Sequence, residues 1–418
     1  MKRLFLLAAA VVACCTFAAA QQYKVLYNFA GPPTDGQNAI GPLILDNAGN
    51  LYGETLGGGS GANGGGTVFE VSPGSNGAWT ETVLYNFCSN YVNQVCLDGT
   101  GSEGGLNLDP QGNLYGTTEF GGTNNSGLLF ELSPPSAPGE SWTYSVLHNF
   151  CSDFVNNQCL DGAYPYDQPI FDSVGNLYGT AGGGNGQGAG GVVWELTPGE
   201  GQWNETILYN FCTLGQGNDC PDGDDLFYGV TFDRFGNLFG TTERGGTGGL
   251  GGGVLFELSP SSGGWTETVL FKFRASTGFP VGGVVLDPLG DIYGTSWGPQ
   301  NNDGSVFRWS PRGGASEFQF DGADGADPGG SLLLDLRRHE LLGVTGLGGE
   351  YGSGNVFELT PPAHETVIYS FCSQPNCADG GDPGGGVIED AVGNLYGATR
   401  TGGASGMNGY GVVYEIAR

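Results

Sequence analysis

One short phrase recurs seven times along this chain of 418 residues, and no other feature restricts the fold so strongly. GNLYG occurs four times, GNLFG and GDIYG once each, and the seventh copy has decayed to ELLG. The aromatic position of the phrase is filled, in chain order, by Tyr52, Tyr115, Tyr178, Phe239, Tyr293, Leu342 and Tyr396. Because successive copies lie 49 to 63 residues apart, the sequence predicts a repeat architecture built from supersecondary units.

Each repeat contains four short runs of β-branched and aromatic residues separated by turn residues. In the second repeat these runs cover residues 104–109, 114–118, 128–132 and 142–150. Glycine bounds the runs, which excludes helical repeats, and the period is too long for one rung of a β-helix. Four strands per unit at this period indicate the blades of a β-propeller.

The two ends of the chain supply complementary parts of one unit. Residues 412–416 form a third run with no fourth run after it, and residues 23–29 form a fourth run with no first three before it. Together they complete a blade, which closes the ring and covers strand edges that would otherwise invite aggregation. We therefore predict an all-β, seven-bladed propeller of four-stranded blades, as a single domain over residues 21–418.

Residues 1–20 have the pattern of a secretory signal peptide, with cleavage expected before Gln21. Lys2 and Arg3 precede an apolar run that ends in small residues. An alternative is a lipobox that would make Cys14 a lipid anchor, although the apolar run continues past this cysteine. No other stretch is long and apolar enough to span a bilayer.

The eight cysteines outside the signal form local pairs that recur after the same aromatic motif. The pairs are Cys88/Cys96, Cys151/Cys159, Cys212/Cys220 and Cys372/Cys377. An even number at repeated spacing in an exported chain predicts four disulfides. Zinc is the weaker alternative, because zinc sites favour C-x-x-C spacing or histidine partners, and no histidine flanks a pair.

The composition describes a folded, strongly acidic protein. Glycine accounts for 82 residues, yet aromatic residues make up 12% of the chain, which is unlike a disordered sequence. The formal net charge is −30, from 43 acidic and 13 basic residues. Such a surface repels phosphate backbones and anionic lipids, so neither nucleic acid nor a membrane surface is an expected partner.

Two sets of repeated residues are interpreted as structural. A carboxylate that ends the first run accepts backbone N–H bonds at the start of a tight turn. These turn aspartates are Asp46, Asp109, Asp172, Asp233, Asp287, Asp335 and Asp390. The tryptophans that open the fourth run are expected to pack over the blade base: Trp79, Trp142, Trp203 and Trp265.

A further set of aspartates precedes the first run of six repeats, eleven residues before the turn aspartate. The set is Asp35, Asp98, Asp161, Asp222, Asp324 and Asp379, and the fifth repeat has Ser276 instead. Because the first strand lines the channel of a propeller, these carboxylates could form a ring at one mouth of the channel. They are then a candidate site for a polyol or a divalent cation such as calcium. The alternative, which is the favoured interpretation, is an Asp-Gly turn that is repeated because the blade needs it, and no metal is assigned.

Strand order places the long glycine-rich loops and the disulfide loops on one face of the propeller. Long loops on a rigid scaffold commonly carry binding residues, and aromatic rings beside carboxylates suit the stacking of sugars. The candidates for such stacking are Trp297, Tyr164, Tyr166 and Tyr351. Repeats five and six break the pattern, with Arg308 and Trp309 among the new residues, through either a site or sequence decay.

The run GNLYGTT-x-x-GG followed by G-x-VFEL-SP resembles the GloVer (Gloeo/Verruco) tandem repeat of exported bacterial proteins. The resemblance covers nearly all of the mature chain, is weaker in repeat five and is degenerate in repeat six. It implies export and a repeat architecture, but it transfers no catalytic residue. Members often carry a C-terminal anchor, which this chain is expected to lack because it ends at Arg418 directly after the last strand run.

The sequence carries no catalytic signature such as G-x-S-x-G or H-E-x-x-H. The leading hypothesis is therefore a secreted or cell-surface propeller, expected as a monomer, that binds an extracellular glycan or protein without a cofactor. One alternative is a carbohydrate-active hydrolase or lyase that uses carboxylates at the channel mouth. Another is a structural component of the cell surface.

Overall fold

The computed structural model describes residues 22–137, 139–156, 158–183, 190–213, 220–246, 251–276, 278–298, 303–361 and 364–418. Within these residues, seven antiparallel sheets form the blades of a β-propeller, which confirms the predicted fold. The predicted signal peptide and Cys14 lie outside the described residues, and so does the expected cleavage site before Gln21.

Strands are numbered by blade, and the first strand is split in blades 1 and 7. Blade 1 contains Gly36–Ala39, Ile44–Leu45, Leu51–Gly58, Thr67–Pro73 and Trp79–Asn86. Blade 2 contains Asn107–Leu108, Leu114–Thr118, Leu128–Ser133 and Thr143–Asn149. Blade 3 contains Ile170–Phe171, Leu177–Ala181, Val192–Pro198 and Trp203–Asn210. Blade 4 contains Thr231–Phe232, Leu238–Thr241, Gly251–Ser261 and Gly264–Arg274. Blade 5 contains Phe279–Leu286, Ile292–Trp297, Ser305–Ser310 and Gly314–Gln319. Blade 6 contains Ala326–Asp335, Glu340–Leu347, Asn355–Thr360 and His364–Ser370. Blade 7 contains Gly381–Pro383, Ile388–Glu389, Leu395–Thr401, Val412–Ala417 and Gln22–Asn28.

Short elements occur in the connecting loops. Two hairpins lie in the disulfide loops that follow blades 1 and 2: Tyr91–Val92 with Val95–Cys96, and Phe154–Val155 with Gln158–Cys159. The 3-10 turns are Ala62–Gly64 and Pro375–Cys377. In the described part of the chain, no helix is long and apolar enough to cross a membrane.

The first strand of the chain closes the ring, as predicted. Gln22–Asn28 pairs antiparallel with Val412–Ala417, from Gln22 opposite Ala417 to Asn28 opposite Val412. Tyr23 of this strand stacks on Tyr369 of blade 6, with ring centroids 4.0 Å apart. The N-terminal strand therefore completes blade 7 and also packs against blade 6.

The repeated phrase is explained by a glycine–aromatic pair inside every blade. In blade 2, Gly116 of the second strand lies directly opposite Phe130 of the third strand. A Cβ at Gly116 would lie 2.7 Å from the Phe130 ring, so only glycine admits the buried ring. The equivalent pairs are Gly53/Phe69, Gly179/Trp194, Gly240/Phe256, Gly294/Phe307, Gly343/Phe357 and Gly397/Tyr414. All seven aromatic side chains are buried and form the core of the blades.

The two sets interpreted as structural behave as expected. Asp46 accepts the backbone N–H groups of Ala48 and Asn50, both at 2.8 Å, and the Tyr52 hydroxyl at 3.2 Å. The same bonds recur at Asp109, Asp172 and Asp390. The tryptophans pack against the second-strand tyrosine of the preceding blade, as in Trp79/Tyr396, Trp142/Tyr52 and Trp203/Tyr115.

The four predicted disulfides are present among the described cysteines: Cys88–Cys96, Cys151–Cys159, Cys212–Cys220 and Cys372–Cys377. Disulfides form and persist in oxidising compartments, so their presence favours an exported protein.

Candidate functional site

The Asp-Gly aspartates make hydrogen bonds at the seams between blades. In four of the six, the hydroxyl group of a tyrosine on the fourth and outermost strand of the preceding blade donates to the carboxylate. The pairs are Tyr27/Asp35, Tyr85/Asp98, Tyr209/Asp222 and Tyr369/Asp379. These four carboxylates are therefore held against the outermost strand of the preceding blade, whereas a ligand-binding ring at the channel mouth stays a prediction.

Asp98 shows what these carboxylates do. It accepts the N–H groups of Ser89 and Asn90 at 2.9 and 3.1 Å, in addition to the Tyr85 hydroxyl at 2.8 Å. Asp35, Asp161 and Asp379 accept comparable loop N–H groups, and Asp324 accepts the N–H of Asp321. The geometry favours the alternative interpretation of this set, in which the aspartate closes the loop between two blades.

The four aromatic candidates for stacking lie in different places. Trp297 ends the second strand of blade 5 and is 45% exposed. Tyr351 of blade 6 is 46% exposed and lines a groove of about 500 Å³ with Glu350 and Tyr369. The structure brings only Tyr164 and Tyr166 together, between blades 2 and 3.

A ring of close backbone contacts joins the segments that lead into the innermost strands. The contact falls at the glycine that lies five residues before the turn aspartate. A Cβ atom on this glycine would lie 3.0 Å or less from a backbone atom of the next blade. These glycines are Gly41, Gly104, Gly282, Gly330 and Gly385. The same position holds Asp167 in blade 3 and Tyr228 in blade 4, so the ring is interrupted there.

Asp167 is the unusual side chain at this interruption. It is 6% exposed, and its Oδ2 atom has no hydrogen-bond partner within the described structure. Its Oδ1 atom faces the N–H of Thr180 at 3.5 Å, and its side chain lies over Gly229 of blade 4. Burial raises the pKa of Asp167 to about 8, so at neutral pH the carboxyl group is largely protonated and can donate a hydrogen bond.

Further acidic and tyrosine side chains lie on blades 2 to 4 around the segment that carries Asp167, and we call this set the acid–tyrosine row. The Tyr166 hydroxyl donates to the Glu103 carboxylate of blade 2. Burial and the nearby Glu103 raise the pKa of Glu119 to about 7. On the other side, burial and the nearby Glu243 raise the pKa of Tyr228. The row is Glu103, Glu119, Tyr166, Asp167, Tyr228 and Glu243.

Two charge pairs lie on the segments beside second strands, one in blade 4 next to Glu243 and one in blade 7 away from the row. Arg244 contacts Asp225 at 3.0 Å in blade 4, and Arg400 contacts Asp382 at 3.8 Å in blade 7. Phe120, which is 40% exposed, packs edge-on against Tyr164 next to the row. The region thus offers carboxylate acceptors, tyrosine hydroxyls, one protonated carboxyl group and exposed rings, which together suit a polyhydroxylated ligand.

Of the acid–tyrosine row, only Tyr166 is among the candidates that the sequence predicts; Glu103, Glu119, Asp167, Tyr228 and Glu243 are not. A signal for them exists in the sequence, because five repeats have glycine five residues before the turn aspartate and repeats three and four do not. The signal is weak, because these glycines are among 82 in the chain.

The break in repeats five and six proves to be structural where it is described. Arg308 pairs with Asp291, which replaces the asparagine of the D-x-x-G-N turn. Trp309 packs in the apolar cluster of blade 5 with Ile292 and Phe307. These residues stabilise the base of their own blade and are separate from the acid–tyrosine row.

Fold and sequence together define the class of protein as a disulfide-bonded, seven-bladed β-propeller assembled from tandem repeats. The profile of the Gloeobacter/Verrucomicrobia repeat matches residues 14–157 and 233–418, which is more than half of the chain. The protein belongs to this repeat family, and the resemblance noted in its sequence is confirmed. No curated protein sequence matches the chain.

Solved structures with the same architecture include enzymes of different activities. A puromycin hydrolase mutant aligns with a TM-score of 0.54 at 14% identity, over 88% of this chain and 52% of that one. The chain thus spans about half the length of that hydrolase. A polysaccharide lyase described as an ulvan lyase aligns with a TM-score of 0.54 at 10% identity, over 94% and 96% of the two chains. At these identities the likeness establishes the fold alone.

Proposed function

We propose that this protein is an exported lectin-like propeller that binds a glycan at the acid–tyrosine row and does not cleave it. The observation that carries the proposal is the interruption of the glycine ring by Asp167 and Tyr228. Five blades use this position only to let backbones approach one another, whereas blades 3 and 4 use it for polar side chains. A buried oxygen without a partner at such a position supports a ligand that completes its hydrogen bonds.

The charge of the region favours a neutral glycan over an acidic one. Glu103, Glu119 and Glu243 lie along the row, and the whole chain carries a net charge of −30. A uronic or sulfated polysaccharide would be repelled by this field, whereas neutral sugar hydroxyls can donate to the carboxylates. The rings of Tyr164 and Phe120 offer apolar faces beside these acceptors.

A carbohydrate-active enzyme is the second candidate, and Asp167 is the observation that favours it. A carboxyl group whose pKa lies near 8 could act as a general acid, and Glu119, whose pKa lies near 7, could serve as a base. Binding remains the primary proposal because the row is a continuous series of acceptors rather than one pair of facing carboxylates.

The test is retention of the mature protein on insoluble neutral polysaccharides, with released sugar measured in the same tube. We expect retention without release, and acidic polysaccharides should retain less protein. Asp167→Gly should weaken binding about tenfold or more, because the buried hydrogen-bond partner is lost. This variant restores the residue found in five other blades, so its circular dichroism and thermal midpoint should match those of the parent protein.

The controls locate the site and separate the alternatives. Tyr351→Ala removes an exposed ring on blade 6 and should leave retention unchanged. If Tyr351→Ala loses binding and Asp167→Gly keeps it, the glycan site lies on blade 6 instead. Released sugar would establish the enzyme instead, and a chelator arm tests the predicted cation. Absence of both retention and release on all polysaccharides would refute the glycan and leave a protein partner or a structural role.

A further inference from the structure

The seam between blades 2 and 3 differs from the other seams in a way that the repeat does not explain. Four seams place a tyrosine hydroxyl on the Asp-Gly carboxylate, from Tyr27, Tyr85, Tyr209 or Tyr369. Blade 2 has His148 at this position, beside Asp161. Glu205 of blade 3 approaches the same imidazole, so three potential metal ligands meet in one seam.

The distances fit ligands of one ion better than they fit hydrogen bonds. His148 Nε2 lies 3.6 Å from Asp161 Oδ2 and 3.4 Å from Glu205 Oε1, and all three atoms lie within 4.8 Å of one another. In a tetrahedral zinc site with bonds of about 2.0–2.2 Å, ligand atoms lie about 3.3–3.6 Å apart. The separations around His148 therefore match the edges of such a tetrahedron.

Burial and hydrogen bonding point to the same conclusion. His148 Nε2 and Glu205 Oε1 are both buried, and neither has a hydrogen-bond partner in the described structure. The side chains of His148, Asp161 and Glu205 are 13%, 4% and 14% exposed. Buried polar atoms without partners are rare in native proteins, and a bound ion is one of the accepted explanations.

The surroundings also supply orientation and a charge to neutralise. Ser152 donates its N–H and its hydroxyl to Asp161 Oδ2, both at 2.7 Å, and Asp153 donates its N–H to Oδ1 at 3.2 Å, so the loop holds the carboxylate in one orientation. The His148 ring packs edge-on against Phe150 at 4.8 Å, which fixes the imidazole. When they bind a metal ion, two carboxylates and a neutral imidazole supply two negative charges, which a divalent cation balances.

We propose that His148, Asp161 and Glu205 form a binding site for a divalent transition-metal ion, of which zinc is the representative, that clamps blade 2 to blade 3. Imidazole with two carboxylates suits zinc and its neighbours, whereas calcium takes oxygen ligands in larger numbers. One further position is left for water. The site lies on the outer seam and is independent of the acid–tyrosine row and of the proposed glycan.

The experiment uses the mature protein purified without a polyhistidine tag, stripped with chelator and titrated with Zn²⁺ by calorimetry. We expect one high-affinity ion per chain and a zinc-dependent rise in the thermal midpoint. Titration with Co²⁺ should give the visible absorption of a four-coordinate site. The titration uses no polysaccharide and the seam residues are not part of the acid–tyrosine row, so failure of the glycan proposal would leave this result unaffected.

His148→Tyr is the matched variant, because tyrosine occupies this position in four other blades. It should fold normally, lose zinc binding by at least about a hundredfold and show no zinc-dependent thermal shift. Glu205→Gln should weaken binding while Glu81→Gln, in the seam between blades 7 and 1, should not. Equal zinc binding by His148→Tyr, or no saturable binding by the parent protein, would overturn the site and leave His148 as an ion-pair partner of the two carboxylates.

Discussion

At the scale of single residues, the same carboxylate chemistry serves two different purposes. Aspartates such as Asp98 are buried but fully supplied with donors from their own loop and from the preceding blade. Asp167 is equally buried but has an oxygen without a donor. Buried carboxylates with several donors stabilise a fold, whereas those without donors are the better candidates for function.

Asp98→Ala should destabilise the protein by roughly 2–3 kcal/mol, because the buried carboxylate loses the charge-assisted hydrogen bonds that Ser89, Asn90 and Tyr85 donate to it. The measurement is the urea midpoint of unfolding at neutral pH. Tyr91→Ala serves as a control in the same disulfide loop, since this side chain is 43% exposed and should change stability by less than about 0.5 kcal/mol. Equal shifts in the two variants would contradict the role assigned to Asp98.

Residue types were easier to predict from the sequence than residue positions. The recurrence of the Asp-Gly aspartates is evident in the sequence. The tyrosine that donates a hydrogen bond to each carboxylate lies 8 to 13 residues upstream, in the preceding repeat. Periodicity shows that residues are equivalent but not which neighbouring strand each one faces. The turn aspartates were predicted correctly because all their partners lie within six residues.

At the scale of the blade, cross-strand pairing sets the architecture. The glycine of the repeated phrase and the aromatic residue of the third strand lie opposite each other in every blade, including the degenerate blade 6, where Gly343 faces Phe357. The decayed phrase thus keeps the glycine that the core requires. Strand number and order followed from the sequence because these contacts are local.

Gly116→Ala should destabilise the protein by about 1–3 kcal/mol, because the new methyl group would overlap the Phe130 ring in a packed core. The thermal or urea midpoint measures the effect. Gly263→Ala is the matched control, since no atom lies within 4 Å of its Cβ position and it should be close to neutral. A second variant, Gly116→Ala with Phe130→Leu, should recover part of the loss if the overlap is the cause. A neutral Gly116→Ala would show that the ring is not held against this glycine.

At the scale of the whole molecule, acidic side chains collect at the seams between blades. Four fourth-strand glutamates each lie beside an Asp-Gly aspartate of the seam, and burial raises the pKa of each to about 7. They are Glu81, Glu205, Glu267 and Glu365. These clusters of acidic side chains could not be predicted from the sequence, because they join residues from different repeats. The same holds for the acid–tyrosine row, where the hydrogen-bonded residues Glu103 and Tyr166 are 63 positions apart.

Stability should therefore rise as the pH falls from about 8 to about 5. Between the ordinary glutamate pKa near 4.5 and the folded value near 7, the native protein binds more protons than the unfolded chain. The stabilisation is present below this range and is lost as the pH rises through 7. Asp161, Asp172 and Asp390, whose pKa values are lowered by hydrogen bonds that outweigh burial, reverse the trend in stronger acid.

Thermal unfolding at pH 5, 6.5 and 8 and constant ionic strength measures this dependence. Glu267→Gln removes one titrating group, so the variant should gain stability at pH 8 relative to the parent protein and should depend less on pH. Glu140→Gln, a change at an exposed loop residue, is the control, and its thermal midpoint should depend on pH as that of the parent protein does. A midpoint that is constant or rises from pH 5 to pH 8 would contradict the raised pKa values.

The strand pairing that closes the ring also determines how the molecule responds to mechanical force. Gln22 lies opposite Ala417, so the first described strand begins and the last strand ends at the same edge of one antiparallel ladder in blade 7. Tension between the ends would peel this ladder one residue pair at a time rather than load all its hydrogen bonds together. The closing blade is then the first to open under a pull on both ends, whereas tension on a single end leaves the ladder unloaded.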